Sequence, residues 1–268
     1  MEKKLQRDST ALCALILVFS FLFVAYESHF KKAFAEETVM SADAGGENAL
    51  QDEYDEWTDD LEEEESAPRI RDPLERFNRG VFAFNDFFYF NALKPVARGY
   101  RFITPEPVRV GVKNFFYNLG FPVRFVNDIL QIKFQKAGQD TCQFILNSTA
   151  GILGFFNPAR RCPWLNQPPE DTGQTLGTWS IGNGFYIVWP LLGPSTLRDS
   201  VGLVGDYFLQ PVSYVRPFYI SLSARSYESV NDTSLSIGEY ESLKESALDP
   251  YTAFKDAYLQ YRQKAVQE

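Results

Sequence analysis

The 268-residue chain predicts a mainly α-helical domain, on three observations. Proline recurs at the front of apolar stretches, at Asp72-Pro73, Thr104-Pro105-Glu106-Pro107, Phe121-Pro122 and Asp249-Pro250. There its fixed φ suits the first turn of a helix. Apolar residues then follow at spacings of three and four, the period of one helical face. Strand signals are sparse. Phe185 to Leu192, after the turn signal Gly182-Asn183-Gly184, could form a strand or an extended loop, and Pro190 interrupts it.

The N-terminal part is a separate matter. Lys3, Lys4 and Arg7 precede an apolar run from Ala11 to Tyr26, and Lys31-Lys32 precedes Ala33-Phe34-Ala35. That order reads as a signal peptide over residues 1–35, cut after Ala35. The run falls short of the roughly 20 residues that span a bilayer. An uncleaved anchor is the alternative, because the run is long for a signal. Cys13 lies near the start of the run instead of after it, so no lipid anchor is expected. Residues 36–67 carry 14 acidic and no basic side chains. Residues 36–71 therefore read as an acidic disordered linker, either a spacer or an arm that meets a basic partner. From residue 68 onward 21 basic groups face 18 acidic ones, so the domain is nearly balanced although the chain carries −9.

The folded domain is expected over 72–262, with 263–268 as a tail. Asp72 caps the first helix and Pro73 opens it. Leu74, Phe77, Val81, Phe84 and Phe88 form its apolar stripe. Phe82, Phe87, Tyr89 and Phe90 lie off that stripe, so the helix is buried on several sides or faces lipid. Asn78 and Asn85, seven apart, share one narrow side. They either bond to neighbouring backbone or face water or a channel. Arg69, Arg71, Arg76 and Arg79 crowd its start, as solvated or paired groups or as contacts to lipid phosphate. Lys94-Pro95 ends it. A second helix follows Pro105 with Val108, Val112, Phe115 and Phe116. A short one follows Pro122 with Phe125, Val126, Ile129 and Leu130 on one side. Residues 137–150 form another, with Phe144, Ile145 and Leu146 in a run that reads as buried. Ser195 caps a helix over about 196–209, and two or three helices close the chain.

The chemistry that is missing narrows the function. His29 is the only histidine and leaves with the signal peptide. Thr178-Trp179-Ser180-Ile181-Gly182 comes close to a nucleophile elbow, but a serine needs a base. Two cysteines and no histidine make a transition-metal site implausible. Glu170-Asp171, Glu239, Glu241 and Glu245 read as helix-start or solvent-face carboxylates. No glycine-rich phosphate loop is present. No strong basic stripe points to nucleic acid. The domain reads as a non-enzyme without cofactor. Cys142 and Cys162 could form a disulfide in an oxidising compartment, although spacing does not show that they meet. Aromatic residues make up 16% of the chain, and rings with polar edges suit a membrane interface.

A collinear series of motifs runs along the domain: Asp72-Pro73-Leu74-Glu75-x-Phe77-Asn78-Arg79, Phe84-Asn85, Lys94-Pro95-Val96-Ala97 and Pro105-x-Pro107-x-Arg109. Further on come Phe144-x-Leu146-Asn147-Ser148, Glu170-Asp171-x-Gly173-Gln174-Thr175-Leu176-Gly177, Thr196-Leu197-Arg198-Asp199 and Asp249-Pro250-Tyr251. Together they resemble the motifs of the MlaA (VacJ) family. The resemblance implies a ring-like bundle of amphipathic helices with at most a small hairpin, embedded in one membrane leaflet. It implies removal of phospholipid from the outer leaflet of the outer membrane through a central amphipathic channel. The implied partners are phospholipid, a periplasmic MlaC-like carrier and a trimeric porin. Phe77, Asn78, Phe84, Asn85 and Phe88 are then the candidate membrane and channel helix. The alternative is a surface-associated interaction or scaffold protein. Members are typically lipoproteins, and the lipobox is missing from this chain.

Overall fold

A computed structural model describes residues 72–267. The expected signal peptide, the linker, Arg69 and Arg71 lie outside the described residues. The first helix, α1, runs Glu75–Phe88. Asp72 does not cap it. Its carboxylate instead accepts from Asn78 Nδ2 at 2.8 Å and from the Tyr251 hydroxyl at 2.5 Å.

Lys94-Pro95 does not end the helix either. A five-residue π turn, Tyr89–Leu93, leads directly into α2, Lys94–Ile103. Proline lacks an N–H and its ring collides with the carbonyl four residues back in a regular helix. In the wider π turn the Lys94 N–H reaches five residues back, to the Tyr89 carbonyl, and gives the ring room.

Three helices follow: α3 (Glu106–Leu119), α4 (Phe121–Leu130) and α5 (Phe134–Thr149). The α4 end is closed by Ile132 at φ 62°, whose N–H reaches Ile129 while the Lys133 N–H reaches the Asp128 carbonyl. This is a left-handed helix stop on a β-branched residue, which disfavours that conformation. Helix α6 spans Thr172–Thr178. An antiparallel hairpin then pairs β1 (Tyr186–Trp189) with β2 (Gly193–Thr196), Tyr186 opposite Thr196 and Trp189 opposite Gly193.

Thr196, not Ser195, caps α7 (Leu197–Leu209): its hydroxyl accepts the Asp199 N–H at 3.1 Å, while Ser195 lies within β2. Helices α8 (Phe218–Leu235), α9 (Glu239–Ser246) and α10 (Pro250–Gln267) complete the described chain. The last helix continues past residue 262, so most of the expected tail belongs to it.

The element contacts close into a circuit. Helix α1 continues through the π turn into α2, α2 packs on α8, α8 on α3, α3 on α4 and α5, and α4 on α6. Helix α6 packs on α7 and α10, and the hairpin links these back to α1. The apolar core occupies the hairpin side of this ring. One cluster holds Val81, Tyr186, Val188, Tyr251, Tyr258 and Leu259, and the other Tyr89, Leu93, Leu191, Tyr240 and Phe254. No helix among the described residues is long and apolar enough to cross a membrane. The expected ring of helices with a small hairpin is the architecture found.

Candidate functional site: a polar interior under an apolar rim

On α4, α5 and α7 the usual order of faces is inverted. Helix α4 buries Arg124, Asn127 and Asp128, while Ile129 and Leu130 are exposed. Helix α5 buries Ala137, Asp140, Gln143 and Asn147, while Phe134 and Ile145 are exposed. Helix α7 buries Arg198, Asp199 and Gly202. Its other face presents Leu197, Val201, Val204 and Phe208, at spacings of four, three and four, each about half exposed or more. A water-soluble helix puts such a stripe inside. Here the stripe points out and the charges point in.

The interior charges are held by partners. Glu170 accepts from Gln131, Lys133 and Lys136 at 2.9, 2.9 and 2.5 Å. Burial pushes its carboxyl up, but the lysines and Gln131 outweigh this and hold it below the usual carboxylate range. Arg262 of α10 bridges two carboxylates, with Asp171 at 2.6 and 3.0 Å and Asp199 at 3.0 and 2.8 Å. Tyr258 adds a hydroxyl to Asp199 at 2.7 Å. Helices α6 and α7 come very close here: a Cβ on Gly202 would lie 2.5 Å from the Gly173 backbone nitrogen. The layer is polar, tight and cross-braced between α4, α6, α7 and α10.

One group stands apart. Asp128 is fully buried and neither carboxylate oxygen has a hydrogen-bond partner. Burial, then the Asp140 charge, raises its pKa from 3.8 to about 7. The unfolded chain releases this proton near the ordinary value, while the folded chain keeps it until about neutrality. Stability from this group therefore falls as pH rises through that interval, and the loss is complete above it. Asp206, also raised to about 7 by burial and then by Asp171, contributes in the same sense. We expect Asp128→Asn to melt with a smaller drop in Tm between pH 5 and pH 8 than the parent, roughly half the slope if the two groups contribute equally. An identical drop in thermal melts of both proteins would count against this.

The residues singled out in the sequence are redistributed. Asn78 and Asn85 do not face water or a channel. They are buried, and each holds the hairpin by both ends of its amide. Asn78 donates to the Tyr186 carbonyl at 3.2 Å and accepts the Val188 N–H at 2.8 Å. Asn85 donates to Trp189 at 3.1 Å and accepts from Leu191 at 2.7 Å. The aromatic stripe divides: Phe77 and Phe84 are exposed, whereas Val81 is buried and Phe88 packs half-buried against the core. Arg79 is taken up by Glu75 and Asp249 and lies over the Tyr251 ring.

Cys142 is exposed on α5, not in a buried face, and both it and Cys162 are free thiols. Ser180, at φ 62°, occupies the left-handed stop of α6, with its N–H on Gly177 and the Ile181 N–H on Leu176. That is a helix C-terminus, not the strand-to-helix turn a nucleophile elbow requires. Asp171 is the helix-start carboxylate expected, capping α6 through the Gln174 N–H at 2.8 Å, but it and Glu170 are buried instead of solvent-facing. Their burial was hidden because the partners, Lys133 and Arg262, lie far off in sequence. The one local signal was polar residues at helical spacing, Arg124-Asn127-Asp128-Gln131, opposite an apolar stripe.

A family profile described as MlaA lipoprotein matches residues 70–265. The intermembrane phospholipid transport system lipoprotein MlaA of Escherichia coli (strain K12) is 34% identical over 196 residues, covering 70% of this chain and 76% of that protein. An uncharacterized protein of Rickettsia bellii (strain RML369-C) is 33% identical over 201 residues, covering 74% and 78%. A solved structure concerned with the structural basis for maintenance of bacterial outer membrane lipid asymmetry superposes with a TM-score of 0.65 at 32% identity, covering 73% of this chain and 99% of that one.

Proposed function

Because the chain belongs to the MlaA lipoprotein family, we propose that it removes mislocalised phospholipid from the outer leaflet of the outer membrane and passes it to a periplasmic carrier. The observation that carries this reading is the inverted order of faces on α4, α5 and α7. An outward apolar stripe is stable against acyl chains, and an inward polar face is what a lipid headgroup crosses against. Helix α7, at 13 residues, is about 20 Å long, short of the roughly 30 Å hydrocarbon core. A ring of such helices sits in one leaflet, with its apolar rim among the chains and its polar side chains turned inward.

Lipid passage by this route is a change of place and breaks no bond, so it calls for no catalytic residue. The described residues contain no histidine that could activate Ser180. A soluble carrier of the MlaC type and a trimeric porin are the partners we assign. The carrier takes up lipid on the periplasmic side, and the porin holds the ring in place.

The test uses α7. Val201→Asp and Val204→Asp place a carboxylate on the outward stripe, at a cost of about 3 kcal/mol each in hydrocarbon. Neither residue touches the interior network. We expect both variants to fold and to be depleted from the outer-membrane fraction, with phospholipid accumulating in the outer leaflet. Full retention in that fraction with normal lipid asymmetry would refute the seating of this face in lipid.

A further inference from the structure

Many basic side chains of the domain have carboxylate partners. Arg79 meets Glu75 and Asp249, Lys94 meets Glu241, Lys133 and Lys136 meet Glu170, and Lys244 meets Asp86. The C-terminal end of α2 is different. Arg98 and Arg101 are exposed there with no hydrogen bond or ion pair. Beside them Phe102 is 91% exposed, Ile103 75% and Val96 57%. Glu106, the nearest carboxylate in sequence, opens α3 and forms no ion pair with them.

Arg98 and Phe102 are four residues apart and share a face of α2. Val96 and Ile103, seven apart, share another exposed side, more than a quarter-turn away. A cation at a helix C-terminus complements the helix dipole, which accounts for Arg101 alone. It does not account for a phenylalanine held almost wholly off the protein beside two unpaired guanidinium groups.

We propose that this end of α2 is a contact for anionic phospholipid, in which Arg98 and Arg101 take headgroup phosphates while Phe102 and Ile103 enter the acyl boundary. The assignment rests on the membrane-seated reading above and adds a headgroup class to it. Guanidinium matches phosphate in geometry as well as charge. In a zwitterionic headgroup the ammonium offsets the phosphate, so two uncompensated cations select lipids of net negative charge. Phe102 and Ile103, at 91% and 75% exposure, project from the surface and line no groove. A fluid lipid surface closes round such a shape, whereas a folded protein partner would need a matching pocket.

Flotation of the purified full chain with preformed vesicles, after detergent removal, tests this. Vesicles of phosphatidylcholine alone are compared with vesicles containing phosphatidylglycerol, at low salt. Each arginine near an anionic surface favours binding by about fivefold, so the parent should prefer the phosphatidylglycerol vesicles by roughly twentyfold. Arg98→Gln with Arg101→Gln should lose most of that preference while binding phosphatidylcholine vesicles as before. Arg160→Gln with Arg161→Gln, another exposed pair, should keep it. Phe102→Ser should weaken binding to both vesicle types by a similar factor. An undiminished preference in the Arg98/Arg101 variant overturns the assignment and leaves the membrane seating intact. Failure of the parent to bind either vesicle overturns the seating itself.

Discussion

Arg262→Met should cost the folded protein about 3–5 kcal/mol, a large share of a typical domain's stability. The guanidinium is 1% exposed and makes four hydrogen bonds to Asp171 and Asp199. Methionine fills much of the space but leaves two buried carboxylates facing each other across it. Asp171 also caps α6 through the Gln174 N–H at 2.8 Å, so the damage should spread to that helix. Arg262→Lys should rescue only in part, because one ammonium cannot bridge two carboxylates in the way a planar fork does. Adding Asp171→Asn and Asp199→Asn to the methionine variant should recover stability, since it removes the stranded charges. Denaturant unfolding of the four proteins measures this. A loss in Arg262→Met under about 1 kcal/mol would show that the bridge does not brace the interior.

Asn78→Asp should destabilise the domain by about 3 kcal/mol or more, whereas Phe84→Asp should cost the fold less, about 1–2 kcal/mol for the lost partial burial. Asn78 is fully buried, and its amide nitrogen gives hydrogen bonds to the Asp72 carboxylate and the Tyr186 carbonyl. An aspartate loses both and sets a second carboxylate against the first. Asn85→Asp should follow in the same direction, since it loses the bond to the Trp189 carbonyl. Phe84 is exposed, so a charge there meets solvent in the isolated protein. Its main cost should show in membrane seating instead. Thermal melts in detergent, beside membrane-fraction abundance, separate the two effects. Equal melting of Asn78→Asp and the parent would sink the view that these asparagines clamp the hairpin.

This ordering reverses the one that the amphipathic pattern of α1 suggests. Read by hydropathy, the Phe77-Phe84-Phe88 stripe is the buried side and the asparagines are the wet one. That rule holds when water surrounds the protein. Here Phe77 and Phe84 turn outward, an order that the proposed seating in lipid would favour, while Phe88 packs on the core. The asparagines turn inward to hairpin backbone 104 to 110 residues away.

By itself the sequence determined the helical class, most helix starts and the family, and left residues 185–192 open between a strand and a loop. These are local matters: proline sets φ at Pro107, Pro122 and Pro250, and motifs such as Glu170-Asp171-x-Gly173 are read in place, whereas the hairpin turns at residues 190–192 and not at the Gly182-Asn183-Gly184 signal. Tertiary structure alone decided which face of each helix is inside, because that depends on what lies on both sides of it. It also decided that α1 passes through Pro95 on a π turn, since a widened turn keeps its place only when neighbours pack around it. The charged interior was out of reach for the same reason. Arg262 meets Asp171 across 91 residues and Asp199 across 63, and no spacing rule connects groups that only folding brings together.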